Sequence, residues 1–366
     1  MNLGNLGLKQ LNSLLFSCRV LSLPSQLRLS DQPLLTFVTD KAASQSLKND
    51  NRVSLIALLI VAYCTPDSGI KVVIISTKFD LVFFKMISND QEAQQVVIGH
   101  IGGFAWPTAV LFTLCWLVYL ACLDHLLIDS SFSLWTAAGI GFCAYALYTP
   151  LHEAVHGAVT GMSIDRRWMN EWMGYLAAHV LGVSFVAHRS SHLQHHRATN
   201  HPTDDPDQAF SASNFPQLVL VWLKGIPKEW IFALKFEHFT ATERRAVRLE
   251  YLAILITRGL LLLFCADLGV TVITLLLGYG VGNAVLVTLF AWSVHHPHSE
   301  QERMKTTTMY QARAGLDTLM TWLWVYQNYH AIHHLYPKVP FFRYRSLYRA
   351  LEPYLRASGV PVKRLL

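Results

Sequence analysis

Long apolar runs alternate along this chain with polar, charge-bearing stretches, at lengths that suit a lipid bilayer. A helix needs about 20 apolar residues to cross a hydrocarbon layer of about 30 Å. Four segments approach that length: 105–123 and 132–149, joined by a short turn holding Asp124 and Asp129, then 249–265 and 268–292, joined at Asp267. Each pair reads as a helical hairpin, although Arg258 inside the third span blurs its limits. The apolar stretch 173–187 is short for a span and contains His179, which suits an interfacial or re-entrant helix. Residues 222–236 mix aromatic and aliphatic positions with Lys224, Lys228 and Lys235, as a helix lying on a membrane surface would. The predicted fold class is an all-α integral membrane protein of two transmembrane hairpins, four spans in all. The polar segments form a helical cap on one membrane face.

Residues 1–95 follow another pattern. They are rich in Ser and Leu, hold no acidic residue before Asp31, and contain one apolar run, Val53 to Cys64, too short to span. The segment reads as an N-terminal extension, poorly ordered or leader-like, or as an upstream addition to a working protein that starts near Met86. Residues 96–366 form the catalytic domain in this division.

Composition agrees with a membrane setting: 52% of the residues are apolar, 15% are charged, and the mean hydropathy is +0.30. The six cysteines (Cys18, Cys64, Cys115, Cys122, Cys143 and Cys265) form no C-x-x-C pair and no disulfide framework. The net charge of +6 does not point to nucleic acid, because in so apolar a chain Lys and Arg serve to face the cytosol and anionic lipid. Their distribution sets the topology. The turns at 124–131 and 266–269 hold no Lys or Arg, whereas 150–248 holds ten and 293–366 another ten, so both long segments are expected on the cytosolic side, at a bacterial inner membrane or the endoplasmic reticulum. Of the 17 histidines, all but His100 and His125 fall in those two segments.

The histidines are spaced for metal binding. HEAVH places His152 and His156 four apart, on one helix face. HRSSHLQHH places His188, His192, His195 and His196 within a helical stripe roughly 100° wide. HHPH brings His295, His296 and His298 just after the fourth span, and HAIHH repeats, with His330, His333 and His334, the spacing of His192, His195 and His196. A lone histidine on an apolar face is ordinarily a satisfied interfacial residue, and His100, His125, His179 and His238 are read so. Two copies of H-x-x-H-H are not. Imidazole suits zinc, copper, iron and nickel alike, but the eight histidines of the three boxes are twice what one tetrahedral zinc holds, which implies two metals. Glu153 is the one acid inside a box, unlike the carboxylate-rich di-iron sites of soluble bundles. An all-imidazole pair at a membrane face fits iron and oxygen chemistry better than zinc hydrolysis.

The order HEAVH, HLQHH, HAIHH with apolar hairpins between resembles the membrane fatty acid desaturase and hydroxylase superfamily, over about residues 100–350. RATNHPTDDPD after the second box and QNYHAIHHLYPKVPFFRY around the third strengthen the likeness, while His201 stands where an acid is commoner and Val294 where a proline is expected. The resemblance implies two Fe ions held by His152, His156, His192, His195, His196, His330, His333 and His334, with a ninth ligand, His295, from just after the last span. His188, His296 and His298 are candidate extra ligands or partners behind the ligands. Ligating histidines commonly donate their second N–H to a carboxylate, so Glu153, Asp204, Asp205 and Asp207 are candidates for that role. Asn328 and Tyr329 are read as packing. No catalytic residue beyond the metal ligands is expected, since an unactivated methylene offers neither an acidic proton nor an electrophilic carbon to a side chain.

By the resemblance the chain is an enzyme that introduces a double bond, or a hydroxyl, into a fatty acyl chain with O2. The alternative substrate is a carotenoid, taken by hydroxylases and ketolases of the same superfamily. No haem, iron–sulfur or dinucleotide signature is present, so the expected electron donor is a separate protein such as a ferredoxin or cytochrome b5. A histidine-rich metal transporter is the reading from another class. It would carry ionisable residues through the spans, whereas the histidines here stop at one face.

Overall fold

The computed structural model describes residues 34–37, 56–65, 69–78, 92–235 and 239–365. The chain divides into two units, Met1–Ser88 and Asn89–Leu366. The described part of the first is an antiparallel sheet of three strands, β1 (Leu34–Phe37), β2 (Ile56–Thr65) and β3 (Gly69–Lys78), in that order. Residues 56–64 of the short apolar run lie in the central strand; their Ile and Val residues favour extended backbone. The reading of residues 1–95 as a poorly ordered or leader-like extension falls largely outside the described residues.

The second unit is mostly helical. After α1 (92–101) comes α2 (Trp106–Ile128), and two helical rods are long and apolar enough to cross a membrane: α2 and the run Leu268–His295 that begins with α9 (Leu268–Leu286). The large apolar side chains of α2, among them Val110, Leu114, Leu117 and Leu120, stand exposed on its outer face, as lipid contact requires. Of the four expected spans, the other two differ from their sequence reading. Segment 132–149 does not run through as one helix: α3 (Leu134–Ala146) has 13 residues and gives way at Leu147 to α4 (Tyr148–His156). Segment 249–265 is the apolar end of α8 (Ala241–Phe264), a 24-residue helix whose start carries Arg244, Arg245 and Arg248. A capping box opens α8: the Thr240 hydroxyl accepts from the Glu243 N–H, and the Glu243 carboxylate accepts from the Thr240 N–H at 2.8 Å.

Helices α3 and α9 meet backbone to backbone. A Cβ on Gly282 would lie 2.5 Å from the Gly141 carbonyl oxygen, and one on Gly278 would lie 2.8 Å from that of Ala137. Only glycine permits so close an approach, the small-residue packing typical of helices in lipid.

The apolar stretch 173–187 is not a single short helix. It contains the end of α5 (Arg167–Leu181), a corner at Gly182 with φ of 75°, and the start of α6 (Phe185–Arg197), whose N-cap Ser184 accepts from the Ala187 N–H. Two charged residues of α8 bind this corner. Arg258 donates to the carbonyls of His179 and Val180 at 3.0 Å each, and the Glu250 carboxylate accepts from the Phe185 N–H at 2.5 Å. Their charges therefore meet helix ends rather than lipid. The expected surface helix at 222–236 starts earlier, as α7 (Phe215–Lys235), and is tied to the α9 rod where Asn283 donates to the Trp222 carbonyl at 2.6 Å.

The C-terminal part adds a short parallel pair, β4 (Met309–Gln311) with β5 (Val362–Arg364), and helices α10 (Ala314–Leu323), α11 (His330–Leu335) and α12 (Tyr344–Ala357). Tyr344, Leu347, Tyr348, Leu351 and Leu355 form the buried face of α12 and close over α11.

Candidate metal centre

Four local structures aim histidines at one place. On α4, His152 and His156 are one turn apart with ring centroids at 5.5 Å. On α6, His192, His195 and His196 share the inward face, and α11 presents His330, His333 and His334. His295 arrives by a different device. Residues Val287–Trp292 form a π-helical segment between α9 and the terminal turn Ser293–His295. In an unbroken α-helix His295 would stand about 160° around the axis from Tyr279; the wider turn takes back roughly one residue's rotation. Tyr279 and His295 thereby line the same cavity.

The nine expected ligands converge. His152, His156, His192, His196 and His333 offer ring nitrogens that all lie within 4.8 Å of one another, and so do His195, His295 and His334. His330 joins the second group, its Nε2 3.2 Å from that of His334 and its ring 5.1 Å from that of His295. The contacts are nitrogen against nitrogen: Nε2 of His196 lies 2.8 Å from Nε2 of His333 and 3.1 Å from that of His192, and Nε2 of His195 lies 3.3 Å from that of His334.

The outer nitrogens explain what these contacts need. Nδ1 of His195 lies 2.8 Å from the Asp205 carboxylate, Nδ1 of His330 lies 2.8 Å from Gln327 Oε1, and Nδ1 of His333 lies 3.1 Å from the Tyr344 hydroxyl. A proton donated to Asp205 or Gln327 leaves a bare lone pair at Nε2. Nε2 of His152 and His156 and Nδ1 of His295 are buried with no hydrogen-bond partner. Lone pairs packed face to face away from water repel one another; a cation among them reverses the sign. The residues therefore fit metal.

Electrostatics keep the rings in the metal-binding form. Burial, and then repulsion between neighbouring histidines, pushes His156 down to about 3 and holds His152, His192, His196, His333 and His334 well below the usual imidazole range; burial also takes His330 to about 3. All are neutral near pH 7. His195 differs: burial opposes its charge, but Asp207 and Asp205 outweigh it and raise its pKa.

The remaining candidates divide. Asp205 is buried, holding His195 and accepting from the backbone N–H of Asn200 and of Asp207 at 2.7 and 2.8 Å. Asp207 accepts from Lys228 at 2.6 Å and lies 3.7 Å from His195 Nδ1. Glu153, expected behind the ligands, faces away from them. It accepts from Thr108 at 2.5 Å and from the Phe341 N–H, tying α2 and α4 to the loop before α12, and burial pushes its carboxyl up to about 7. His296 leans on Trp292, and His298 is buried 5.9 Å from the His295 ring; neither belongs to a cluster. His188 lies outside both clusters, with Nδ1 3.4 Å from Glu229. Asp204 is exposed beside Thr203, and Asn328 donates to the Tyr310 carbonyl and Thr321, as packing residues do. Sequence reasoning missed Gln327, Tyr344, Lys228 and Glu229. Gln327 alone carried a local signal, three residues before His330 on the same turn.

A cavity reaches the clusters. Leu181, Val183, Leu286 and Phe290 form much of its apolar wall, and His192, His195, His295 and His330 also line it, so histidines of both clusters face one space.

A family model described as fatty acid desaturase matches residues 129–365. No curated protein matches the chain.

Proposed function

Because the chain belongs to the fatty acid desaturase family, we propose that it is a membrane-bound di-iron oxidoreductase that uses O2 to introduce a double bond, or a hydroxyl, into a fatty acyl chain. The observation that carries this reading is the pair of buried imidazole clusters opening onto one apolar cavity. His152, His156, His192, His196 and His333 hold one ion; His195, His295, His330 and His334 hold the other. Bound iron supplies what no side chain here can, an oxidant strong enough to remove hydrogen from an unactivated C–H bond. The protein does the rest. Leu181, Val183 and Phe290 line an apolar channel that orients the chain and excludes water, while Asp205, Gln327 and Tyr344 fix the rings of His195, His330 and His333.

In this reading α2 and the α9 rod cross the bilayer, α3 with the first turn of α4 and the apolar end of α8 complete four crossings, and the histidines lie on the cytosolic side. Electrons come from a separate acidic protein such as a ferredoxin or cytochrome b5. Expression in a host lacking its own desaturase, with fatty acid profiling, tests the proposal. New unsaturated or hydroxylated acyl chains are expected; an unchanged acyl profile with altered pigments in a carotenoid-producing host would transfer the site to a carotenoid substrate.

A further inference from the structure

Helix α10 (Ala314–Leu323) has a side that the metal centre does not use. Asp317 and Thr321 are buried against the fold, whereas Leu316, Leu319, Trp322 and Leu323 stand between 51% and 68% exposed. At about 100° per residue those four fall within an arc of roughly 120° on the side away from the core. The end of the helix is fixed against two apolar elements. The Tyr145 hydroxyl of α3 donates to the Leu323 carbonyl at 2.7 Å, and the Trp324 indole N–H donates to the Leu289 carbonyl of the α9 rod at 2.9 Å. An exposed Leu and Trp face held there suits the bilayer interface.

α10 also shares a polar cleft of about 590 Å³ with α12 and the end of β5, lined by Arg313, Arg345, Arg349 and Arg364 with Asp317 and Glu352. Both acids are already engaged: Arg345 donates to Asp317 at 2.7 Å and to the Thr318 hydroxyl at 3.1 Å, and Arg356 donates to Glu352 at 2.8 Å. Arg313, Arg349 and Arg364 are exposed, and among the described residues none of them forms an ion pair. The cleft therefore carries three uncompensated guanidinium groups, whose planar N–H forks match the oxygens of a phosphate. A soluble phosphate accounts for the arginines but not for the apolar face on the same helix. A phospholipid accounts for both.

We propose that α10 and the arginine cleft form a docking site for an anionic phospholipid of the surrounding bilayer. Its headgroup phosphate lies on Arg313, Arg349 and Arg364, and its acyl chains lie against Leu316, Leu319, Trp322 and Leu323. The site uses neither the histidine clusters nor the cavity that reaches them, so it goes beyond the proposed oxidation of an acyl chain and does not depend on it.

The test follows retention of radiolabelled phosphatidylglycerol by the purified full-length protein in neutral detergent, with phosphatidylcholine in excess. Phosphatidylglycerol should be retained in preference. Each of Arg313→Gln, Arg349→Gln and Arg364→Gln should weaken retention about fivefold, and the three together roughly a hundredfold. Thermal stability and iron content should not change in these variants, because the three side chains form no ion pair. Equal retention of the two lipids, or retention unchanged in the triple variant, would overturn the proposal. Leu319→Ser with Trp322→Ser should also weaken retention. If that pair leaves it unchanged while inorganic phosphate binds as tightly as the lipid, the ligand is a soluble anion and the docking site is contradicted. A dimer lost in Trp322→Ser with lipid retention intact would give the apolar face to a second copy of the chain, which contradicts it equally. Lipid preference in a protein that holds no iron would sink the di-iron reading and leave this one standing.

Discussion

At His195 the two ring nitrogens have separate tasks: Nδ1 faces the buried Asp205 carboxylate at 2.8 Å and Nε2 faces His334. Asp205 therefore sets both the orientation of the ring and the nitrogen that stays free. Asp205→Asn can present its amide N–H to Nδ1 and reverse the tautomer, and the expected effect is an iron affinity about 10- to 100-fold weaker with the fold retained, measured by metal competition. His333→Ala removes the ring that lies 2.8 Å from His196 and 4.0 Å, centroid to centroid, from His152. It should abolish turnover and lower bound iron, and a variant that kept turning over would contradict the ligand assignment. At this scale the sequence was informative where spacing repeats. The convergence of these nine histidines was legible because i, i+3 and i+4 positions share a helix face, and that of His295 because it follows an apolar run. Tyr344 and Glu229 were not: each meets its histidine only across the fold, Tyr344 from the next helix and Glu229 from a helix 41 residues away from His188.

Elements turn these side chains inward, and the segments that do so are those whose sequence reads least clearly. The π segment Val287–Trp292 sits inside an unbroken apolar run, so no residue pattern marks the extra rotation it gives to His295. Deleting one residue within 287–292 should restore an α register, swing His295 about 100° away, and leave a protein that holds one iron instead of two. The α3–α9 contact makes a second prediction. Gly282→Val would drive a side chain into the Gly141 carbonyl, whereas a Cβ added at Gly280 would meet nothing within 4 Å, so that position accepts alanine freely. The first should destabilise by about 1–3 kcal/mol and the second should leave thermal stability in detergent unchanged. Arg258 shows why span limits blurred: a cation in an apolar run reads as an interruption until the His179 and Val180 carbonyls it caps are in view. Arg258→Leu should lower stability, because it removes the hydrogen bonds to those carbonyls and to the Tyr279 hydroxyl. Improved stability would mean that the charge had been facing lipid.

For the whole molecule, the mostly helical class inferred from hydropathy holds, and two of the four expected spans, α2 and the α9 rod, are helices long and apolar enough to cross a membrane. The second span, read as one helix, is broken at Leu147, and Leu151, Ala154 and Val155 beyond the break are buried in the helical core. If the charge distribution sets the topology, a cysteine placed at Ser131 and one at Thr203 should be reached by an impermeant thiol reagent from opposite membrane faces, each in a background without the native cysteines. Labelling from the same face would break the hairpin plan. The central claim is that the two clusters hold iron. It is tested most directly by elemental analysis of the purified full-length chain: two irons per chain are predicted, falling toward one in His295→Ala, and a protein that holds zinc alone would contradict it.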